Sequence, residues 1–386
     1  MTNQARPVKV LHVVGRMNRG GVETWLMRLL RIMERESWQM DFLVGDPTHA
    51  SFDEEIIQRG SKILLCPPVR NPILYAINLF KTLKMHGPYD VIHSHVHHFS
   101  GALLFVAWFL GIPVRIAHSH CDSLLVDSKA SFSRKIYLKI MKKLIDRFAT
   151  IGLAASNEAK TALTIGGKRN LSWHVSHCGI DLSEFSHITN KALLRKEWGI
   201  AENSLVLGHV GNFHLAKNHQ FLLYVAHEVF KRKPDSRLIL VGEGTMQNAI
   251  RTQAKQLGIE SKIIFAGTRP DVPSLLGIMD VFLFPSIFEG LGLVVIEAQA
   301  AGLPIVIADS VPKETEIVAE LFHWMSLSDP PEIWAQQCIQ AYEKSPGLCW
   351  MDTNRKIGVT SFNIVNNWQE LQRIYKGEQA EIAQLT

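Results

Sequence analysis

No stretch of this sequence is long enough and apolar enough to cross a bilayer. The longest apolar run, Ala102 to Leu110 within GALLFVAWFLGIP, falls well short of the roughly 20 residues a spanning helix needs and reads as a buried helix. The opening MTNQARPVKVLHVVG shows no apolar signal region followed by a cleavage site, so the expected location is the cytoplasm. Cysteine is scarce: Cys66, Cys121, Cys178, Cys338 and Cys349 are odd in number, scattered, and form no C-x-x-C pair. This argues against both a disulfide framework and a cysteine-rich zinc site. There is no low-complexity segment and no short-period repeat. There is little excess of one charge, since 41 Lys and Arg against 36 Asp and Glu leave a net charge of +5. Basic and aromatic residues are not interleaved in any recognisable module, which argues against a nucleic-acid partner.

What is present is the rhythm of a parallel α/β protein. At 386 residues the chain suits two domains, each able to bury a core. Short β-branched runs alternate with longer helical patterns, the signature of parallel sheets flanked by helices. The strands VKVLHVVG, MDFLVGD, SKILLCP, DVIHSH, VRIAHSH, IGLAAS and WHVSHCGID form one series, with the helix GVETWLMRLLRIM after the first. A second series restarts at SLVLGHVGNF and continues through RLILVGEG, KIIFAGT, VFLFPS and PIVIADS. The pattern predicts a first domain over 1–185, a linker over 186–203 where polar residues interrupt the rhythm, and a second domain over 204–350. A helical tail over 351–386 is predicted to pack back toward the first domain.

The segment FEGLGLVVIEAQAAGLP carries the strongest chemical signal, with seven residues between Glu289 and Glu297 on either side of a glycine-containing loop that enters a helix. Backbone N–H groups at a helix N-terminus suit a phosphate, and a carboxylate one or two turns in can take two ribose hydroxyls. Glu289, ahead of the loop, would face a sugar. A plain strand-loop-helix crossover with solvated glutamates is the alternative. The segment resembles the E-x7-E motif of retaining GT-B glycosyltransferases of family 4, the family that includes bacterial capsule and exopolysaccharide enzymes, and the resemblance spans nearly the whole chain. It implies two Rossmann-like doubly wound domains facing a central cleft, with the donor held mainly by the second. It places Glu289 by the donor sugar and Glu297 on the ribose, with backbone contacts from Gly290, Leu291, Gly292 and Leu293. Leu291 stands where the family often has phenylalanine.

GHVGNFHLAKNHQFLL resembles the family motif whose arginine and lysine hold the donor diphosphate. Lys217 matches the lysine, and its ammonium would stabilise charge that grows on the leaving diphosphate. Asn212 occupies the arginine position and brings no charge. RMNRGGVETWLMRLL resembles the family's first glycine-rich loop, with Gly20 and Gly21 allowing phosphate and acceptor to approach the backbone and Glu23 in the first helical turn. Read alone, Lys217 is a surface lysine before a helix and Gly20–Gly21 an ordinary tight turn. Arg269, in GTRPD, is expected beside the nucleobase through its backbone. In SHCGID, Cys178 stands where the family usually has asparagine, and a role limited to the turn is expected.

Histidines crowd two strand ends. RIAHSHCDS carries His118 and His120, on one face of a strand because they are two apart. The resemblance selects His120 to hydrogen-bond the sugar or position the acceptor, with His118 structural. DVIHSHVHHFSG carries His93, His95, His97 and His98, a string close to the H-x-H-x-D-H motif of metal hydrolases. The aspartate is absent and the paired glutamates would go unexplained, so His93 and His95 are read as lining the acceptor side with no metal. No D-x-D pair is present either. Diphosphate charge is then expected to fall to Lys217, Asn212, Arg16 and helix N-termini, with no cofactor and no metal. The rivals are a metal-dependent hydrolase and a catalytically silent nucleotide-sugar-binding protein.

SFSRKIYLKIMKKLIDRFA projects Tyr137, Met141, Leu144 and Phe148 on one helical face, with Arg134, Lys135, Lys139, Lys142, Lys143 and Arg147 mostly away from it. Such a helix suits an anionic membrane surface, and a core-packed helix with a solvated outer face fits equally. The reading that results is a metal-independent hexosyltransferase. It takes a nucleotide-sugar donor, with a uridine diphosphate sugar expected ahead of guanosine diphosphate mannose. Its acceptor is a hydroxyl of a glycan or a lipid-linked acceptor, and it is cytoplasmic or peripheral on the inner membrane face.

Overall fold

The computed structural model describes residues 6–67, 71–121, 123, 127–164, 171–186, 191–345 and 347–378. The chain forms two compact units, Met1–Gly179 together with Ile364–Thr386, and Ile180–Asn363.

The first unit is built on a seven-stranded sheet in the order β3-β2-β1-β4-β5-β6-β7, with every pairing parallel. Its strands are β1 (Val8–Val14), β2 (Trp38–Val44), β3 (Ile63–Leu65), β4 (Val91–Ser94), β5 (Val114–Ser119), β6 (Ile151–Ala154) and β7 (Trp173–Val175). Both faces are covered by helices, so the central strands are apolar on consecutive residues: Val10, Leu11, Val13 and Val14 of β1 are all buried. Helices α1 (Gly21–Ile32), α2 (Asp53–Gln58), α3 (Pro72–His86), α4 (Ser100–Phe109), α5 (Phe132–Phe148) and α6 (Asn157–Leu163) make the crossovers. The predicted buried helix is α4, and it is only partly buried: Leu103, Leu104 and Ala107 enter the core, whereas Phe105, Trp108 and Phe109 are exposed.

The second unit holds a six-stranded parallel sheet in the order β10-β9-β8-β11-β12-β13. Its strands are β8 (Val206–Val210), β9 (Arg237–Val241), β10 (Ile263–Gly267), β11 (Val281–Phe284), β12 (Ile305–Ala308) and β13 (Phe322–Met325). Helices α7 (Lys191–Glu197), α8 (His219–Arg232), α9 (Gln247–Gln256), α10 (Val272–Ile278), α11 (Leu293–Ala300), α12 (Pro331–Glu343) and α13 (Trp350–Gly358) complete it.

The chain passes between units at Gly179–Ile180 and returns at Asn363–Ile364, so the segment expected as a linker belongs to the second unit. Its α7 is fastened there by Arg195, a buried guanidinium that donates to Asp280 at 2.7 Å and to the carbonyl of Ile278 at 2.8 and 3.0 Å. A buried charge is tolerated only with partners of this kind. Residues 187–190 of that segment and 379–386 of the expected tail lie outside the described residues. In the tail, α13 stays with the second unit and α14 (Ile364–Tyr375) packs against α1 in the first.

Candidate active site

In a doubly wound sheet the strand order reverses at one point, and ligands bind at the carboxyl ends of the strands beside it. In the second unit the reversal lies between β8 and β11. Lys217 follows β8 in a short 3-10 turn, and Glu289 follows β11. Lys217 Nζ donates to Glu289 Oε1 at 2.7 Å and stands 4.7 Å from the centre of the Phe284 ring. The side chains of the pair retain only 18% and 11% of their exposure. The two loops are tied by the Ile287 N–H, which donates to the Ala216 carbonyl at 2.7 Å. The predicted lysine and first glutamate are thus brought together.

The second glutamate lies where the sequence placed it, inside a helix. Gly292 caps α11 with φ of 85°, a conformation natural to glycine, and Glu297 is buried at 8% exposure. Gln299 fixes this helix to the loop after β12: its amide donates to Thr315 O at 2.8 Å and accepts from Val318 N at 2.9 Å. Leu291 is buried, so its side chain serves packing. Asn212 is exposed after β8, where its carbonyl accepts from His214 N at 2.7 Å. Arg269 grips Asp271 through two bonds of 2.8 Å and lies over Trp198. Buried beneath Lys217, His209 donates Nδ1–H to Leu283 O at 2.9 Å, and burial with the neighbouring His219 keeps it neutral.

In the first unit the reversal lies between β1 and β4, and there a histidine cluster forms. His12 on β1 is in register with His93 on β4, and β5 adds His118 with His120 just past its end. His12 Nδ1 meets His95 Nε2 at 2.9 Å, and His95 Nδ1 meets His120 Nε2 at 2.8 Å. His120 Nδ1 is 3.8 Å from Cys178 Sγ. In a second chain His93 bridges Tyr375 Oη at 2.8 Å and His118 Nδ1 at 3.0 Å. Trp25 stands edge-on to this group and donates its indole N–H to Asn367 Oδ1 at 2.7 Å. Burial drives the imidazoles of His12 and His120 down to about 3, and His93, His95 and His118 well below the usual histidine range. The cluster is neutral at physiological pH.

His93, His95 and His120 fall in one cluster, which His118, expected to be structural, joins; His93, expected to line the acceptor side, is instead fully buried with both ring nitrogens bonded inside the unit. His12, Trp25, Tyr375 and Asn367 were not singled out by sequence: one strand histidine gives no local signal, and α14 lies far along the chain. Cys178, expected to shape only a turn, touches His120. His98 turns elsewhere, its Nε2 bonded to Asp127 Oδ2 at 2.9 Å, and the His97 ring lies 4.2 Å from that of His98. The four histidines of the hydrolase-like string therefore do not converge. Two trios, His12 with His93 and His95, and His95 with His118 and His120, do hold ring nitrogens within 4.8 Å, close enough for a transition ion to span. Gly20 caps α1 and Gly21 opens it, while burial pushes the Glu23 carboxyl up. Arg16 donates to the His49 carbonyl and lies 3.7 Å from Asp46, so its charge is engaged within its own unit.

Two Rossmann-like units, with an ion pair at one reversal point and neutral polar rings at the other, place the chain among proteins built from paired doubly wound sheets. Residues 19–184 match the family described as Glycosyltransferase Family 4, and residues 190–345 the family described as Glycosyl transferases group 1. The chain is 35% identical over 341 residues to the putative glycosyltransferase EpsF of Bacillus subtilis, covering 86% of this chain and 87% of that one. It is 28% identical to the capsular polysaccharide biosynthesis glycosyltransferase CapH of Staphylococcus aureus, over 95% and 98% of the two chains. The crystal structure of Anabaena HepE in complex with UDP-glucose shares the fold with a TM-score of 0.78 at 21% identity, over 96% and 99% of the chains. The chain belongs to glycosyltransferase family 4 and has the GT-B fold.

Proposed function

We propose that this chain is a retaining, metal-independent glycosyltransferase that moves a sugar from a uridine diphosphate sugar to a hydroxyl of a glycan or lipid-linked acceptor in polysaccharide biosynthesis. The observation that carries the reading is the half-buried Lys217–Glu289 ion pair at the reversal point of the second sheet. An ammonium there meets the charge that develops on a departing diphosphate, and Glu289 holds it in place until a donor arrives. Glu289 then orients the donor sugar, and Glu297 takes the ribose hydroxyls. The backbone of Gly290 to Leu293 lies along the phosphates and sugar, with Asn212 beside them and the backbone of Arg269 at the base. Gly20, Gly21 and Glu23 serve the acceptor and His120 organises sugar and acceptor, while His93 and His95 stand behind it, held by their own hydrogen bonds. Uridine diphosphate is favoured because HepE was crystallised with UDP and with UDP-glucose, and because an Escherichia coli relative, 27% identical over 238 residues, is a UDP-galactose-dependent transferase. The relative CapH, a capsular polysaccharide biosynthesis glycosyltransferase, points to polysaccharide synthesis.

The test is a thermal-shift and diphosphate-release screen of the purified protein against nucleotide sugars, including guanosine diphosphate mannose, with EDTA present. We expect one uridine diphosphate sugar to raise the melting temperature and to be hydrolysed slowly. Lys217→Ala and Glu289→Ala should each lower that release by on the order of 100-fold or more. No stabilisation by any nucleotide sugar would overturn the reading, and activity restored only by added metal would overturn its metal-independent part. A membrane-facing acceptor side is also proposed, on α5: Phe132, Ile136 and Ile140 are exposed on the helix that carries Lys135, Lys139 and Lys143, all three exposed.

A further inference from the structure

We propose that His95 fixes His120 as an Nδ1–H hydrogen-bond donor, so that His120 acts by donating to a ligand oxygen and not by taking a proton from the acceptor. The ligand assignment rests on the transferase reading above; the tautomer rests on geometry alone.

Each neutral imidazole carries one N–H and one lone pair, and each N···N contact needs one proton between its two nitrogens. Both nitrogens of His95 are engaged, Nε2 with His12 Nδ1 at 2.9 Å and Nδ1 with His120 Nε2 at 2.8 Å. The position of the His95 proton therefore dictates both neighbours, and only two arrangements satisfy the chain. With the proton on His95 Nδ1, His12 and His120 also carry theirs on Nδ1. With it on Nε2, all three carry theirs on Nε2.

The ends of the chain separate the two. His12 is fully buried, and its Nε2 has no hydrogen-bond partner among the described residues. In the all-Nε2 arrangement that atom is a buried donor with nothing to bond, a group that folded proteins almost never tolerate. In the all-Nδ1 arrangement it is only an unused lone pair. At the other end, His120 Nδ1–H then points at Cys178 Sγ across 3.8 Å, a weak contact to a poor acceptor. This is the one bond of the chain that a ligand oxygen can displace with gain, and His120 keeps part of its surface open where His12 does not. His95 and His12 are thus positioning residues for His120, and Cys178 is a placeholder acceptor. A free histidine side chain in water favours the opposite tautomer, so the arrangement has a distinct signature.

The experiment is two-bond proton–nitrogen correlation NMR on the full chain labelled with 15N-histidine, with His120 assigned by the signal lost in His120→Asn. The wild-type protein is expected to show Nδ1–H tautomers at His12, His95 and His120. An Nε2–H tautomer at His120 overturns the proposal. So does stoichiometric zinc uptake that moves these signals, because the same ring nitrogens would then be metal ligands. His95→Gln, whose amide can both donate and accept, should keep the His120 tautomer, whereas His95→Phe should release it to a mixture. With a uridine diphosphate sugar as probe, His95→Phe should lower kcat about tenfold, the scale of one hydrogen bond, with donor KM unchanged. A His120 tautomer that stays fixed in His95→Phe removes the role given to His95. If the wild type releases UDP from no donor, the transferase reading falls, and the wild-type spectrum still decides the tautomer.

Discussion

Gly242 adopts φ of 128°, and the place where its Cβ would stand is filled by the carbonyl of Gly211. That contact sets the end of β9 against the end of β8, from which the Lys217 loop departs. Gly242→Ala meets both a disfavoured backbone region and a collision, so it should destabilise the second unit by about 2 to 3 kcal/mol and lower nucleotide-sugar affinity. Urea denaturation and a thermal shift with nucleotide added would measure the two effects. At this scale the sequence was legible where chemistry is local. The spacing of Glu289 and Glu297, and a lysine after a glycine-rich strand end, are signals a short window contains. The partners of the histidine cluster were hidden because they are assembled by topology: His93 is bonded to Tyr375, which lies 282 residues away, and Trp25 to Asn367, 342 away.

Among the elements, twelve of the strands coincide with β-branched or apolar runs visible in the sequence, since a parallel strand buried on both faces must be nearly continuous in apolar residues. The one not read, β13, is FHWM at the sheet edge, mostly half-buried and not β-branched. On α5 the expected stripe of Tyr137, Met141, Leu144 and Phe148 is only half-buried, and the residues that reach the core are Leu138 and Ile145. Phe132, at 80% exposure, faces out with Ile136 and Ile140 beside lysines, a combination that suits a headgroup layer better than water. Full-length protein should float with vesicles containing anionic lipid and not with neutral ones. Phe132→Glu together with Ile136→Glu should abolish flotation without lowering the melting temperature by more than a degree or two, since surface changes of this kind cost little stability. Loss of flotation accompanied by unfolding, or equal binding to neutral vesicles, would count against the membrane role.

For the whole molecule, the neutral histidines make stability depend on pH with a definite sign. A buried imidazole whose folded value lies below its unfolded value of about 6.5 binds fewer protons in the native state, so its contribution is full above that value and is lost as pH falls. His12 and His120, at about 3 when folded, should each remove about 2 kcal/mol between pH 7.5 and 5, and His93, His95 and His118 act in the same direction. Glu370 opposes them, because burial raises its carboxyl to about 7 and it gains a proton on folding over the same interval, but it offsets roughly one imidazole. Melting followed by circular dichroism should therefore show a clearly lower midpoint at pH 5 than at pH 7.5, and an unchanged midpoint would refute the buried, neutral cluster. The return of α14 to the first unit has a consequence for synthesis. A ribosome delivers the seven strands of that unit early, yet Asn367 and Tyr375, which hold Trp25 and His93, emerge only after the entire second unit has been made. Until then the first unit lacks its closing helix, and a chain released early would carry a histidine cluster without its last two anchors.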